Sequence, residues 1–101
     1  MQQVTWPNIS PGSPGQVVAY TGTAGTIANP VPATANALWI FVTSIAHVKI
    51  SKGGTAALTT DFPLPASTPI IVPLTDNDGT IKVSAIQSAA GGNLHVCPIA
   101  Y

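Results

Sequence analysis

The chain contains no arginine and no glutamate, and only six of its 101 residues carry a formal charge: Lys49, Lys52, Lys82, Asp61, Asp76 and Asp78. Charged residues make up 6%, where an ordinary globular domain carries about 25%. Net charge is zero. Three scattered lysines make no phosphate-binding patch, so nucleic acid is not an expected partner. There is one cysteine, Cys97, which excludes an intrachain disulfide and a multi-cysteine zinc site. Long apolar runs are also missing. Leu38–Val42 and Ile70–Val72 fall far short of the roughly 18 residues that a membrane-spanning helix needs, so no membrane partner is expected. The N-terminus has neither a basic nor an apolar signal region, which leads us to expect synthesis in a cytoplasm. A surface this poor in charge has little electrostatic protection against association. Such a chain belongs in an assembly.

Proline and glycine are plentiful, with ten and nine copies. Residues 1–16 read as an extended arm, because Pro7, Pro11, Pro14, Gly12 and Gly15 forbid regular helix and sheet. Val4, Trp6 and Ile9 are apolar residues that a solvated linker would not need. They either cap the domain's own core or bind a neighbouring subunit. Residues 17–101 read as a single β-sandwich domain.

Strand signals begin at Gln16–Tyr20 and Gly25–Asn29. Asn29-Pro30-Val31-Pro32 breaks pairing. Leu38–Thr43 is the strongest strand, with Leu38, Ile40 and Val42 on one side and Trp39 and Phe41 on the other. Both faces are apolar, so the strand is central or covered by a partner, and its apolarity favours burial of the two aromatic rings. Ala46–Ser51 alternates, with Ala46, Val48 and Ile50 inward and His47, Lys49 and Ser51 outward. Residues 55–68 read as a loop tucked down by Leu58, Phe62 and Leu64. Pro69–Leu74 suits a sheet edge, and Asp76-Asn77-Asp78-Gly79 reads as a turn. Thr80–Gln87 and Asn93–Ala100 read as a closing hairpin reversed at Ala90–Asn93, with Cys97 a buried small hydrophobe. No segment carries a helical period. The expected fold is all-β, a small antiparallel β-sandwich or barrel with an extended proline-rich N-terminal arm.

Catalytic signatures are lacking. His47 and His95 lie on outward strand faces without paired carboxylates. Asp76–Gly79 resembles a fragment of a calcium loop but has no following glutamate. There is no Gly-x-Ser-x-Gly elbow and no phosphate loop. The chain is therefore not expected to be an enzyme, nor to carry a metal or cofactor.

From Leu38 onward the chain resembles the small β-sandwich virion proteins of tailed bacteriophages, the group of capsid decoration (cement) and head-fibre-base proteins. The residues that carry this are Leu38–Thr43, Ala46–Ser51, Gly54-Thr55-Ala56, Asp61–Ala66, Ile81–Gln87, Gly91–Val96 and the closing Pro98–Tyr101. Where similar proteins have a short Pro-Gly-Asp turn, this chain has Asp76–Gly79. The resemblance implies a structural protein located in the virion. Such a protein would bind the major capsid protein or other virion subunits, often as a homotrimer. Val4, Trp6, Ile9, Trp39 and Phe41 are the candidate partner-binding residues. A carbohydrate- or receptor-binding module of a fibre or tail, or a head–tail joining component, is the alternative.

Overall fold

The computed structural model describes residues 15–99. They form eight strands and no helix: β1 (Gln16–Tyr20), β2 (Gly25–Thr26), β3 (Ala37–Val42), β4 (Ala46–Lys52), β5 (Phe62–Leu64), β6 (Ile70–Pro73), β7 (Ile81–Gln87) and β8 (Gly92–Ile99). Two four-stranded sheets pack face to face, one in the order β1-β8-β3-β6 and the other β2-β7-β4-β5. Every pairing is antiparallel. The expected sandwich is what forms.

Alternation along each strand sets the core. Leu38, Ile40 and Val42 of β3 and Leu94 and Val96 of β8 point inward from the first sheet. Ala46 and Val48 of β4 and Val83 and Ala85 of β7 meet them from the second. A one-residue slip would turn each of these sets outward, so the register is firmly specified.

Connectivity departs from the expected closing hairpin. β7 and β8 do not pair; they lie in different sheets. Gly92 and Asn93, expected in the reversal, already belong to β8, opposite Tyr20 and Ala19 of β1. Residues 88–91 instead step across the roughly 10 Å between packed sheets. Most of the chain behaves this way. Only the β4–β5 connection stays within one sheet.

Residues 21–24, 43–45, 65–69 and 88–91 all cross at the same end of the sandwich. They are tied together there. The buried Tyr20 hydroxyl donates to the Ser44 carbonyl and accepts from the Ser44 amide at 3.2 Å. Thr43 Oγ1 accepts from the Asn93 amide at 2.9 Å. Backbone amides of Gln87, Ser88 and Ser67 donate to Thr21, Ile45 and Val42 carbonyls. Gly25 sits so close to β1 that a Cβ there would lie 2.1 Å from the Ala19 carbonyl oxygen. No larger residue fits without moving backbone.

At the other end, Asn77 Nδ2 donates to both the Pro32 and Ala35 carbonyls at 2.8 Å, joining the crossings 27–36 and 74–80. Its Oδ1 accepts from Gly79, whose φ of 88° suits glycine. The expected strand Gly25–Asn29 ends at Thr26, and the chain then follows β7 irregularly. Ile27 and Val31 donate to Val83 and Ile81 carbonyls and bury their side chains.

The 55–68 region also differs from expectation. Phe62–Leu64 is a strand on the sheet edge, pairing with β4 despite Pro63, as an edge position allows. Leu64 is buried, but Leu58 and Phe62 are exposed. Ala57, 2% exposed, tucks the loop down instead.

Candidate functional site

The two outer faces of the sandwich differ in chemistry. That of the second sheet is covered by its own chain. Residues 53–61 fold across it: the Ala57 amide donates to Ser84 Oγ at 2.9 Å, Thr26 Oγ1 donates to the same oxygen, and Ser84 is buried as a result. The Thr55 amide donates to Ser51 Oγ. His47 Nδ1 donates to the Asp61 carbonyl at 3.0 Å, and Lys49 Nζ lies 3.7 Å from Asp61 Oδ2. All three lysines belong to strands of this sheet.

The first sheet carries no charged residue on any strand. Its outward side chains lie in rows fixed by register, and two of these rows carry the aromatic rings. Val17, His95 and Phe41 make one row across β1, β8 and β3. Cys97, Trp39 and Ile71 make the other across β8, β3 and β6. Val17 is 60% exposed and Ile71 is 48% exposed, so the flanks of the face are open to solvent. Trp39 and Phe41 are half-buried, their rings parallel to within 3° at 5.8 Å, and Phe41 meets the His95 ring edge-on at 5.7 Å. Offset and edge-on contacts of this kind hold aromatic rings in place.

Two expectations change here. Trp39 and Phe41 are not interior residues; they lie on the outer face, partly accessible. Cys97 is half-buried beside them rather than in the core. Burial still raises its thiol pKa above the ordinary value. Val4, Trp6 and Ile9 lie outside the described residues. The face also takes in Val17 and Ile71, which the sequence reading did not single out, together with His95, expected on an outward face, and Cys97, expected in the core. Alternation of Gln16–Tyr20 carried the signal for Val17, since Val18 and Tyr20 claim the inner side.

The acidic turn has a different role from cation capture. Lys52 Nζ lies 2.9 Å from Asp76 Oδ2 and 3.4 Å from Asp78 Oδ2, so the chain supplies its own cation. Thr80 donates through both hydroxyl and amide to Asp78 Oδ1, at 2.5 and 3.1 Å. Among the described residues no group of three or more His, Cys, Asp or Glu converges. His47 and His95 belong to opposite faces. Beside the Lys52 cluster an open cleft of about 390 Å³ lies between the sheets, lined by Ile50, Val72, Leu74 and Ile81 among others. It exists because β5 pairs only as far as Val48 and leaves the lower part of β4 uncovered.

Comparison with protein-family models, curated proteins and solved structures finds no match to this chain.

Proposed function

We propose that this chain is a structural protein of a tailed-phage virion, a capsid decoration protein that acts by adhesion. The observation that carries the reading is the charge asymmetry of the sandwich. One outer face is covered by its own loop and bears Lys49 and Lys82. The other is uncharged, partly aromatic and open. An exposed patch of this kind on a small domain marks an interaction surface. Val17, Trp39, Phe41 and Ile71 supply apolar area, and contact with neighbouring virion subunits removes it from water. The resemblance of residues 38–101 to small virion sandwiches supports the same reading.

The partial exposure of Trp39 and Phe41 favours one other reading, a sugar-binding platform on a fibre or tail. Sugar recognition needs several converging polar groups beside the rings. Around Trp39 and Phe41 the outward positions offer only His95 and, in the next row, Asn93 as polar side chains, too few to converge on a sugar, so adhesion to protein is the better fit.

Electron microscopy at side-chain detail of purified particles tests the proposal. The expected result is density for this chain on the capsid exterior, with the Trp39–Phe41 face turned toward neighbouring subunits. Particles that lack the chain, or carry it with that face toward solvent, overturn the reading.

A further inference from the structure

The two flanks of the sandwich are finished differently. Where β1 and β2 come together, the flank is laced shut. Gln16 Nε2 donates to the Asn29 carbonyl at 2.8 Å, Gln16 Oε1 accepts from the Asn29 amide at 3.0 Å, and Gly25 lies against Ala19. Tyr20, Ile27 and Val31 are fully buried behind that seam. On the other flank β6 continues down to Pro73, opposite Ala37, whereas β5 opposes only Ala46–Val48. Below Val48 the core stays open. Ile50, Val72 and Leu74 pack against it only partly buried, around the cleft of about 390 Å³.

The backbone on that flank is unfinished too. The Ser88 amide donates to Ile45 and the Gly53 amide to Thr80, and with the β4–β7 register these bonds turn His47, Lys49 and Ser51 toward β7. Ile50 and Lys52 therefore turn their N–H and C=O groups the other way, where β5 no longer runs. They offer donors and acceptors along residues 49–52, a stretch of about 13 Å at about 3.3 Å per residue. Across the cleft, β6 is a poorer template. The bond from the Leu74 amide to Asn36 turns Ile70 and Val72 toward β3, and of Ile71 and Pro73 on the open edge only Ile71 has an N–H.

We infer that this vacancy accepts an extended segment of a partner protein, added beside residues 49–52 of β4 in line with β5. Backbone bonds to Ile50 and Lys52 attach it, and its alternate apolar side chains fill the cleft, the two components of strand addition. The occupant is a bare segment and not the edge of a folded sheet. Val72, Pro73 and Leu74 already face Ile50 and Lys52 across the cleft, so a strand arriving with a covering sheet of its own would collide with β6. That excludes a strand from the sandwich of a second copy. Charge narrows the occupant further. Lys52 faces two carboxylates, so the mouth of the cleft retains one negative charge, and the Asp76 side chain is 87% exposed there. A lysine or arginine of the partner, next to its apolar positions, complements that charge. The inference goes beyond the adhesive reading, which uses the Trp39–Phe41 face, and stands on different residues.

Nuclear magnetic resonance of the full chain tests this in two steps. In the chain alone, the Ile50 and Lys52 amides should exchange with solvent far faster than those of Lys49 and Ser51, which are bonded to β7. Slow exchange at Ile50 and Lys52 would show the vacancy already filled, by the chain itself or by a second copy, and overturns the inference. The probe in the second step is a blocked hexapeptide of alternating valine and threonine ending in lysine, titrated into the millimolar range. Saturable shifts are expected at the Ile50 and Lys52 amides and at the Val72 and Leu74 methyl groups. The same peptide N-methylated throughout cannot donate to β4 and should not bind. A glutamate in place of the lysine should weaken binding by about two- to fivefold, as for an exposed ion pair, and Asp76→Asn should remove most of that preference. Absence of saturable shifts, shifts centred on Trp39 and Phe41, or equal binding of the N-methylated peptide each overturn the inference. A lysine preference that Asp76→Asn leaves intact overturns the assigned charge. None of these readouts involves a particle, so this inference and the virion reading can fail separately.

Discussion

Tyr20 shows how much one hydroxyl can hold. It is 1% exposed, and its oxygen serves both the carbonyl and the amide of Ser44 in the crossing between β3 and β4. Removing the hydroxyl leaves two part-buried backbone groups of Ser44 without their partner, a loss of about 1 kcal/mol. Tyr20→Phe should therefore lower the denaturant midpoint while leaving the slope unchanged, measured by equilibrium unfolding; an unchanged midpoint would mean that solvent serves Ser44 equally well. Nothing in the local sequence announces this bond, because Tyr20 and Ser44 are 24 positions apart and the pairing exists only once the sheets have stacked. The same limit explains the misplaced aromatic residues. Apolarity of Leu38–Val42 fixed which side chains alternate, and that was read correctly. Whether anything covers the Trp39 side depends on the other sheet's loop, which lies over β7 and β4 and not over β3. For Leu58 and Ala57 the larger side chain was expected to anchor the loop. The anchor is Ala57, whose amide reaches Ser84 Oγ and whose side chain is buried there.

At the scale of elements, the strands with clean alternation were legible: β3, β4, β7 and β8 lie within one or two residues of where the sequence puts them. β5 was not, because Pro63 and Pro65 argue against a strand and only an edge position tolerates them. The β7–β8 hairpin was misread because Ala90-Gly91-Gly92 suits a reversal within a sheet as well as a step between sheets. The choice is made by β4 and β1, which claim the pairing edges of β7 and β8. The lower end of the sandwich depends on an element no longer than a turn. Asp78 is held below its ordinary value of 3.8, chiefly by the Thr80 hydroxyl and also by Lys52. Lys52 is held above 10.5, first by its hydrogen bond to Asp76. The contribution of Asp78 is complete above pH 3.8 and is lost as pH falls through its lower folded value. That of Lys52 is complete below pH 10.5 and is lost as pH rises through its higher folded value. Both groups are solvent-exposed, so the effect is small. Lys52→Met should melt slightly below the parent at neutral pH, and the gap in melting temperature should close at both extremes. A gap independent of pH would assign the loss to packing of the lysine stem.

For the molecule as a whole, charge scarcity was the most informative feature of the sequence, and the structure gives it a direction. The lysines belong to one sheet and its ends, while the other sheet has none. Association through the uncharged face has little to lose to ionic screening, and apolar burial is strengthened by excluded salts. The association constant measured by sedimentation should change little between about 50 and 500 mM sodium chloride, a range in which several phosphate-type contacts would lose orders of magnitude. A fall beyond about tenfold would move Lys49, Lys52 and Lys82 into the interface. The face itself was half legible. Trp39 and Phe41 were singled out from the sequence, but Val17, His95, Cys97 and Ile71 join them only through the order β1-β8-β3-β6, which pairs strands distant in the chain.

The central claim, that this face carries association, is tested most directly by placing charge on it. Val17 and Ile71 are the best positions, being exposed on the two edge strands, so lysine there leaves the core intact. Sedimentation equilibrium at micromolar concentration should find the parent chain as an oligomer and the Val17→Lys/Ile71→Lys double variant at 10.2 kDa, with the thermal transition still cooperative. A parent chain that is itself monomeric, or a double variant that stays assembled, would contradict the account.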